Sequence, residues 1–236
     1  MPKKVSIKGA IIPNSHQWIY DLFGMDATSP GKIQAVLDGD GEDDDLLIEV
    51  NSGGGSVPAG SEIYTMLRGY TKGNIEIDIV GNACSAAAFI SSIPNAKCLI
   101  SPTAMIMWHR VSTSCISGNS EDVNKALNML NAGDRAVANA LMAKTGKTIK
   151  EALDIMSKET WYSAQEAVDI GLCDGIMFED NQQTSVNIYN SYTNGIIPEE
   201  IINKMQQDRL ENIAKEEKTK NLKNRLQLLN LKGGIL

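Results

Sequence analysis

A serine followed by a row of small residues is the strongest chemical signal in this 236-residue chain. The segment Ile75–Ile90, IEIDIVGNACSAAAFI, reads as an alternating strand, a tight Gly81-Asn82 turn, and a helix that opens at Ser85. Amides at a helix N-terminus have no intrahelical partner and carry partial positive charge. A hydroxyl held beside them is well placed to attack a carbonyl and have the resulting oxyanion stabilised. The Ala86-Ala87-Ala88 run allows close approach of backbone and substrate. The same residues would equally suit a small-residue helix packed against a sheet.

A histidine shifts the balance toward chemistry. The chain has two, His16 and His109. His16 lies in the polar stretch Pro13–Gln17 and reads as a solvated loop residue. His109 closes the apolar run Ala104–Trp108, a buried strand, and follows Ser85 by enough chain for a short helix, a turn and a return strand. An imidazole at the mouth of that strand can reach the Ser85 hydroxyl and act as its general base. A structural histidine at a strand end is the plainer alternative.

The glycine run Asn51–Gly60, NSGGGSVPAG, follows the apolar strand Leu46–Val50. Such a turn exposes backbone amides without side-chain obstruction. It matches neither common phosphate-binding template, so an oxyanion hole facing the serine is the better reading. The TGKT stretch Thr145–Thr148 fails as a nucleotide loop because Leu141 stands where the first glycine belongs. Cys84 is an alternative nucleophile. Its side chain should point opposite to that of Ser85, into the packed interior, as free cysteines usually do.

These segments resemble the Clp protease proteolytic subunit family. The likeness rests on NSGGGSVPAG, on GNACSAAAF at Gly81–Phe89, on MIMWH at Met105–His109, and on ETWYSAQEAVDIGLCDGI at Glu159–Ile176. Order and spacing agree over roughly residues 45–178, and the HRVSTSCISGNSEDVNKAL and ETW stretches look like the prophage-type, head maturation protease branch. The resemblance implies a ClpP/crotonase-like α/β fold. It implies Ser85 as nucleophile, His109 as general base, and the amides of Gly55 and Ala86 as oxyanion donors. The third triad position is aspartate in the family and falls here on Glu159, whose extra methylene changes its reach. Asp154, Asp169 and Asp174 are fallback carboxylates. Gly53 replaces a proline, Ala86 a methionine, Cys84 an alanine, and Arg110-Val111 a Gln-Pro pair. In the family, the region after the histidine forms a handle that packs two rings together; here its strand portion, Val111–Gly118, looks short.

The elements that must position these groups alternate between strand and helix. Strands are expected at Val5–Ile12, Leu46–Val50, Ile75–Val80, Lys97–Ile100, Ala104–Trp108 and Gly175–Glu179. Helices are expected near Pro30–Leu37, then at Gly60–Tyr70, Ser85–Ile93, Glu121–Thr145 (with Ser120 as N-cap), Ile149–Met156 and Ala164–Ile170. That order argues for an α/β domain with a mostly parallel sheet over residues 1–180. Residues 181–195 are rich in Asn, Ser, Thr and Gln and read as a polar linker. Residues 196–236 read as a helical or disordered C-terminal tail.

Composition sets the bounds. The net charge of −7 argues against a nucleic-acid surface. No apolar run reaches the ~18 residues of a membrane span, and Met1–Ile12 is too weakly apolar for a secretory signal. Cys84, Cys98, Cys115 and Cys173 show no paired spacing and fit a reduced, cytoplasmic protein. No cofactor or metal is expected. The expected partners are a peptide or protein substrate, further copies in a homo-oligomeric ring, and a separate ATPase unfoldase, since no ATPase motif lies in this chain. The leading function is a ring-forming serine endopeptidase. A catalytically idle scaffold of the same fold and a crotonase-like acyl-CoA enzyme are the alternatives, and the latter lacks an acidic base near the glycine loop.

Overall fold

The computed structural model describes residues 1–39, 44–113 and 116–178. The expectations for the linker, the tail and Cys115 lie outside these residues.

Among the described residues, eight strands form one sheet. They are β1 (Lys3–Ile11), β2 (Ala27–Thr28), β3 (Leu46–Gly55), β4 (Ile75–Cys84), β5 (Lys97–Ile100), β6 (Met105–Trp108), β7 (Thr160–Ser163) and β8 (Gly175–Ile176). The main path runs β2-β1-β3-β4-β5-β8, all parallel, while β6 pairs with β4 and with β7. The β6–β7 pair alone is antiparallel. Seven α-helices among the described residues connect the strands: α1 (Gln17–Leu22), α2 (Pro30–Asp38), α3 (Val57–Arg68), α4 (Ala86–Ser91), α5 (Ser120–Thr145), α6 (Ile149–Ser157) and α7 (Ala164–Asp169). The mostly parallel α/β architecture is the expected one.

Alternation makes the sheet two-faced. Ile48 and Val50 on β3, with Ile77 and Ile79 on β4, are buried, while Glu49 and Asp78 between them turn to the other face. Parallel strands need covering helices. α3 supplies Ala59, Ile63 and Leu67 at helical spacing, and every residue of α4 is buried.

β4 is the organising strand because it serves two partners. Its first half pairs with β5 through Glu76–Ile79 and its last residues pair with β6 through Asn82–Cys84. The Gly81-Asn82 pair is therefore not a turn. The strand continues through it, and the register against β3 shifts between Val50 and Ser52, which is a bulge. A bulge adds residues to one strand without ending it. Asn51 stabilises it by accepting from the Asn82 amide at 3.1 Å. A Cβ at Gly81 would run into the Asn51 side-chain amide, so a larger residue there would have to push Asn51 from this position.

Other departures have local causes. The polar stretch after β1 forms a 3-10 turn (Asn14–His16) and the short helix α1, whose Trp18, Leu22 and Phe23 are exposed; without a buried face it gave no periodic signal. α5 is capped by Asn119 rather than Ser120. Asn119 accepts from Glu121 and Asp122 while Asp122 answers the Asn119 amide, closing a capping box. The strand β7 was not anticipated, since TWYS is too short to show a period.

Candidate active site

Ser85 stands where β4 gives way to α4, with φ 55° and ψ −118°. This backbone conformation is sparsely populated for a residue with a side chain and typically costs about 1–3 kcal/mol. The amide of Ser85 donates to the Met107 carbonyl at 2.9 Å, which ties the elbow to β6. Its hydroxyl makes no capping bond to α4. Instead, Oγ lies 2.8 Å from Nε2 of His109. His109 is only two residues past Met107, so the β4–β6 ladder itself sets the approach of the two side chains.

The glycine loop closes on the same spot. Gly54 has φ 92° and Gly55 φ 151°. A Cβ at Gly54 would stand 2.6 Å from the Cys84 carbonyl oxygen and 2.7 Å from Ser85 Cβ. A Cβ at Gly55 would stand 2.2 Å from the Ile11 carbonyl oxygen. Only glycine fits at either position. Ser52, buried beneath the loop, donates to the Gly9 carbonyl and accepts from the Gly54 amide at 3.0 Å. Gly55, Ser85 and His109 line one cavity of about 50 Å³, whose apolar wall includes Phe89, Trp108 and Val137. The Trp108 indole nitrogen is buried with no hydrogen-bond partner among the described residues.

The other sequence candidates divide clearly. Cys84 is buried, and burial pushes its thiol above the ordinary cysteine value. It is a packed thiol, not a competitor for Ser85. His16, Asp154 and Asp169 are exposed, and the structure brings none of them to the cavity. Asp174 accepts from the Cys98 amide and from Lys144 beyond α7, as a turn residue. Cys98 and Cys173 are buried free thiols with sulfurs 3.8 Å apart. Glu159 is the instructive case. The ladder pairs Trp108 with Thr160, so the next residue outward on each strand is His109 and Glu159. Glu159 itself is exposed, with φ 50°, does not line the cavity, and its carboxylate makes no hydrogen bond or ion pair among the described residues.

Sequence reasoning missed one acid near the site. Asp134 sits on the buried face of α5, in line with Ala138 and Leu141, and is 3% exposed. Its carboxylate accepts from the Val111 amide at 2.8 Å and from Arg110 Nη1 at 2.9 Å. The available signal was a charged residue at a helical position whose i+4 and i+7 neighbours are apolar.

The fold and this cavity define an α/β protein with a hydroxyl–imidazole pair at the carboxyl ends of adjoining strands. The sequence model of the Clp protease family matches residues 31–180, and the chain belongs to that family. It is 31% identical over 134 residues to ATP-dependent Clp protease proteolytic subunit 2 of Corynebacterium glutamicum, a match covering 56% of this chain and 66% of the relative. It is 29% identical over 145 residues to proteolytic subunit 1 of Streptomyces coelicolor, covering 61% and 65%. It is 24% identical over 144 residues to proteolytic subunit 2 of Tropheryma whipplei, covering 61% and 79%. The matches thus span about two thirds of the length of the first and second of these relatives. No helix among the described residues is long and apolar enough to cross a membrane.

Proposed function

We propose that this chain is a serine endopeptidase that hydrolyses peptide bonds through Ser85, His109 and Glu159, inside a ring of identical subunits. The observation that carries the reading is the 2.8 Å approach of His109 Nε2 to Ser85 Oγ beside the glycine loop. A nucleophile and base within hydrogen-bond reach are the requirement for hydroxyl activation. The useful tautomer has Nδ1 protonated and Nε2 free to accept.

In this mechanism His109 takes the Ser85 proton as Oγ attacks the peptide carbonyl. The amides of Gly55 and Ala86 hold the oxyanion. His109 then donates its proton to the leaving amine. Water, deprotonated by His109, hydrolyses the acyl-enzyme and returns the proton to Ser85. Glu159, one residue outward from the Trp108–Thr160 pair, is in this reading the acid that orients the imidazole through Nδ1. The names of the relatives support a separate ATP-driven partner that feeds the chamber. The prophage-type likeness supports head maturation as the setting, with a cytoplasmic location.

Incubation with a fluorophosphonate probe and a peptide substrate tests the reading. Labelling and turnover in the wild-type chain, both lost in Ser85→Ala, are the expected result. Turnover undiminished in Ser85→Ala would sink the mechanism. The mass of the native particle tests the ring, and a monomer would remove that part. One observation favours a second reading, an idle assembly protein of the same fold: the Glu159 carboxylate has no hydrogen-bond or ion-pair partner among the described residues. Absence of labelling at Ser85 would favour it.

A further inference from the structure

We propose that Asp134 is a positioning residue for His109, acting through the two residues that follow the histidine. The inference rests on the Ser85–His109 reading above and deepens it.

The ladder between β6 and β7 ends at Trp108. His109 lies one residue beyond the last pair, so the sheet alone does not hold it. The next backbone anchor is the Val111 amide, which donates to Asp134 Oδ1 at 2.8 Å. The other oxygen, Oδ2, accepts from Arg110 Nη1 at 2.9 Å. One carboxylate therefore grips both residues directly after the histidine. Gly133 lies against the same segment: a Cβ there would make a tight 3.3 Å contact with Val111 Cγ2. Arg110 extends the brace further. Its Nε donates to Ser157 Oγ at 3.0 Å, at the end of α6 and two residues before Glu159. Arg110, Val111 and Ser112 also wall the cavity that holds Ser85.

Burying a carboxylate on an apolar helix face is unfavourable unless both oxygens are engaged. Here both are engaged on one short stretch of chain. The partner guanidinium is 44% exposed, so the ion pair itself stabilises the fold little. What the pair does supply is geometry. Arg110-Val111 stands where the family pattern has Gln-Pro. A proline has no amide to donate, so the Val111 N–H is a new donor, and Asp134 accepts from it and from the Arg110 guanidinium.

The test compares Asp134→Ala, Asp134→Asn and Arg110→Gln by turnover per fluorophosphonate-titrated site. Misplacement of a reacting group by ~1 Å costs about 100-fold. Asp134→Ala is expected to lower kcat about 10- to 100-fold with KM little changed. Asp134→Asn, which keeps an oxygen for the Val111 amide, should recover most of that loss, and Arg110→Gln should lose less than Asp134→Ala. A purely structural role would reduce the titrated fraction without changing turnover per site, and that result overturns the proposal. A second readout needs no substrate. In a His16→Gln background, ¹⁵N-labelled histidine reports on His109 alone. The Nε2 resonance should move in Asp134→Ala, or in the two milder variants should that one fail to fold. An imidazole spectrum unchanged in all of them overturns the positioning role. Wild-type chain that neither labels nor turns over sinks the peptidase reading instead, and the imidazole spectra still decide the role of Asp134.

Discussion

Two neighbouring strand-to-helix junctions of this molecule carry a serine at the same structural position and use it differently. At the end of β3 the chain passes through Gly54 and Gly55 to Ser56, which caps α3: its hydroxyl accepts from the Ala59 amide, and its backbone is extended at φ −61°. At the end of β4 the chain passes through Cys84 to Ser85, the first residue before α4, whose φ of 55° directs the side chain away from the helix amides. The first serine ties up its hydroxyl in helix formation. The second keeps its hydroxyl for His109. Residue type and topological position are equal, so the backbone conformation of one residue decides between a helix cap and a hydroxyl paired with an imidazole. The two junctions also depend on each other, because Gly54 is the residue that the Ser85 elbow packs against.

The largest expected effect comes from breaking the second junction's chemistry. Ser85→Ala should lower peptide turnover by at least about 10,000-fold while leaving the melting temperature nearly unchanged, since the hydroxyl caps nothing. A large loss of stability would mean that Ser85 is structural after all. Next, Gly54→Ala should break both junctions at once. Its Cβ meets Cys84 and Ser85, and its φ of 92° disfavours any side chain. Destabilisation of about 3 kcal/mol by denaturant unfolding is expected, together with loss of probe labelling at Ser85. Full labelling in a well-folded Gly54→Ala protein would uncouple the two turns.

Ser56→Ala inverts the first result. It should cost about 1 kcal/mol, a drop in melting temperature of roughly 2–4 °C, and spare the labelling rate at Ser85. The smallest effect lies at the far end of the same two strands, where Glu49 and Asp78 face each other. Burial, then the charges of Glu76 and Glu49, raise the Asp78 carboxyl above the ordinary carboxylate value, and its Oδ1 has no hydrogen-bond partner among the described residues. The folded state therefore holds this proton more tightly than the unfolded chain, and the contribution of Asp78 to stability falls as pH rises from the ordinary carboxylate value through its raised folded value. Asp78→Asn should raise the melting temperature slightly near pH 7 and change little near pH 3. A melting temperature lowered at neutral pH would contradict this assignment.

How much of this was legible beforehand depends on the range of the interaction. The apolar strands at Leu46–Val50 and Ile75–Val80 announce themselves because every second residue is buried and aliphatic. Small residues mark the elbow and glycines mark the loop, since close backbone approach excludes anything larger. By contrast, Gly81-Asn82 has the composition of a turn and forms a bulge, because β3 on one side and β6 on the other keep the strand extended. The strand β7 exists because β6 offers it an edge. Asp134 was invisible as a site residue because its partners, Val111 and Arg110, lie 23 and 24 positions away.

The sequence by itself determined the alternation of strands and helices, the glycine loop, and the residue types suited to hydroxyl chemistry, because each follows from local periodicity or steric freedom. Tertiary structure decided which of the two junction serines is turned away from its helix, how closely the histidine approaches it, and that Asp134 holds the segment after the histidine. The approach of the two side chains depends on β4 dividing its hydrogen bonds between β5 and β6, a pairing that no local stretch of the chain encodes.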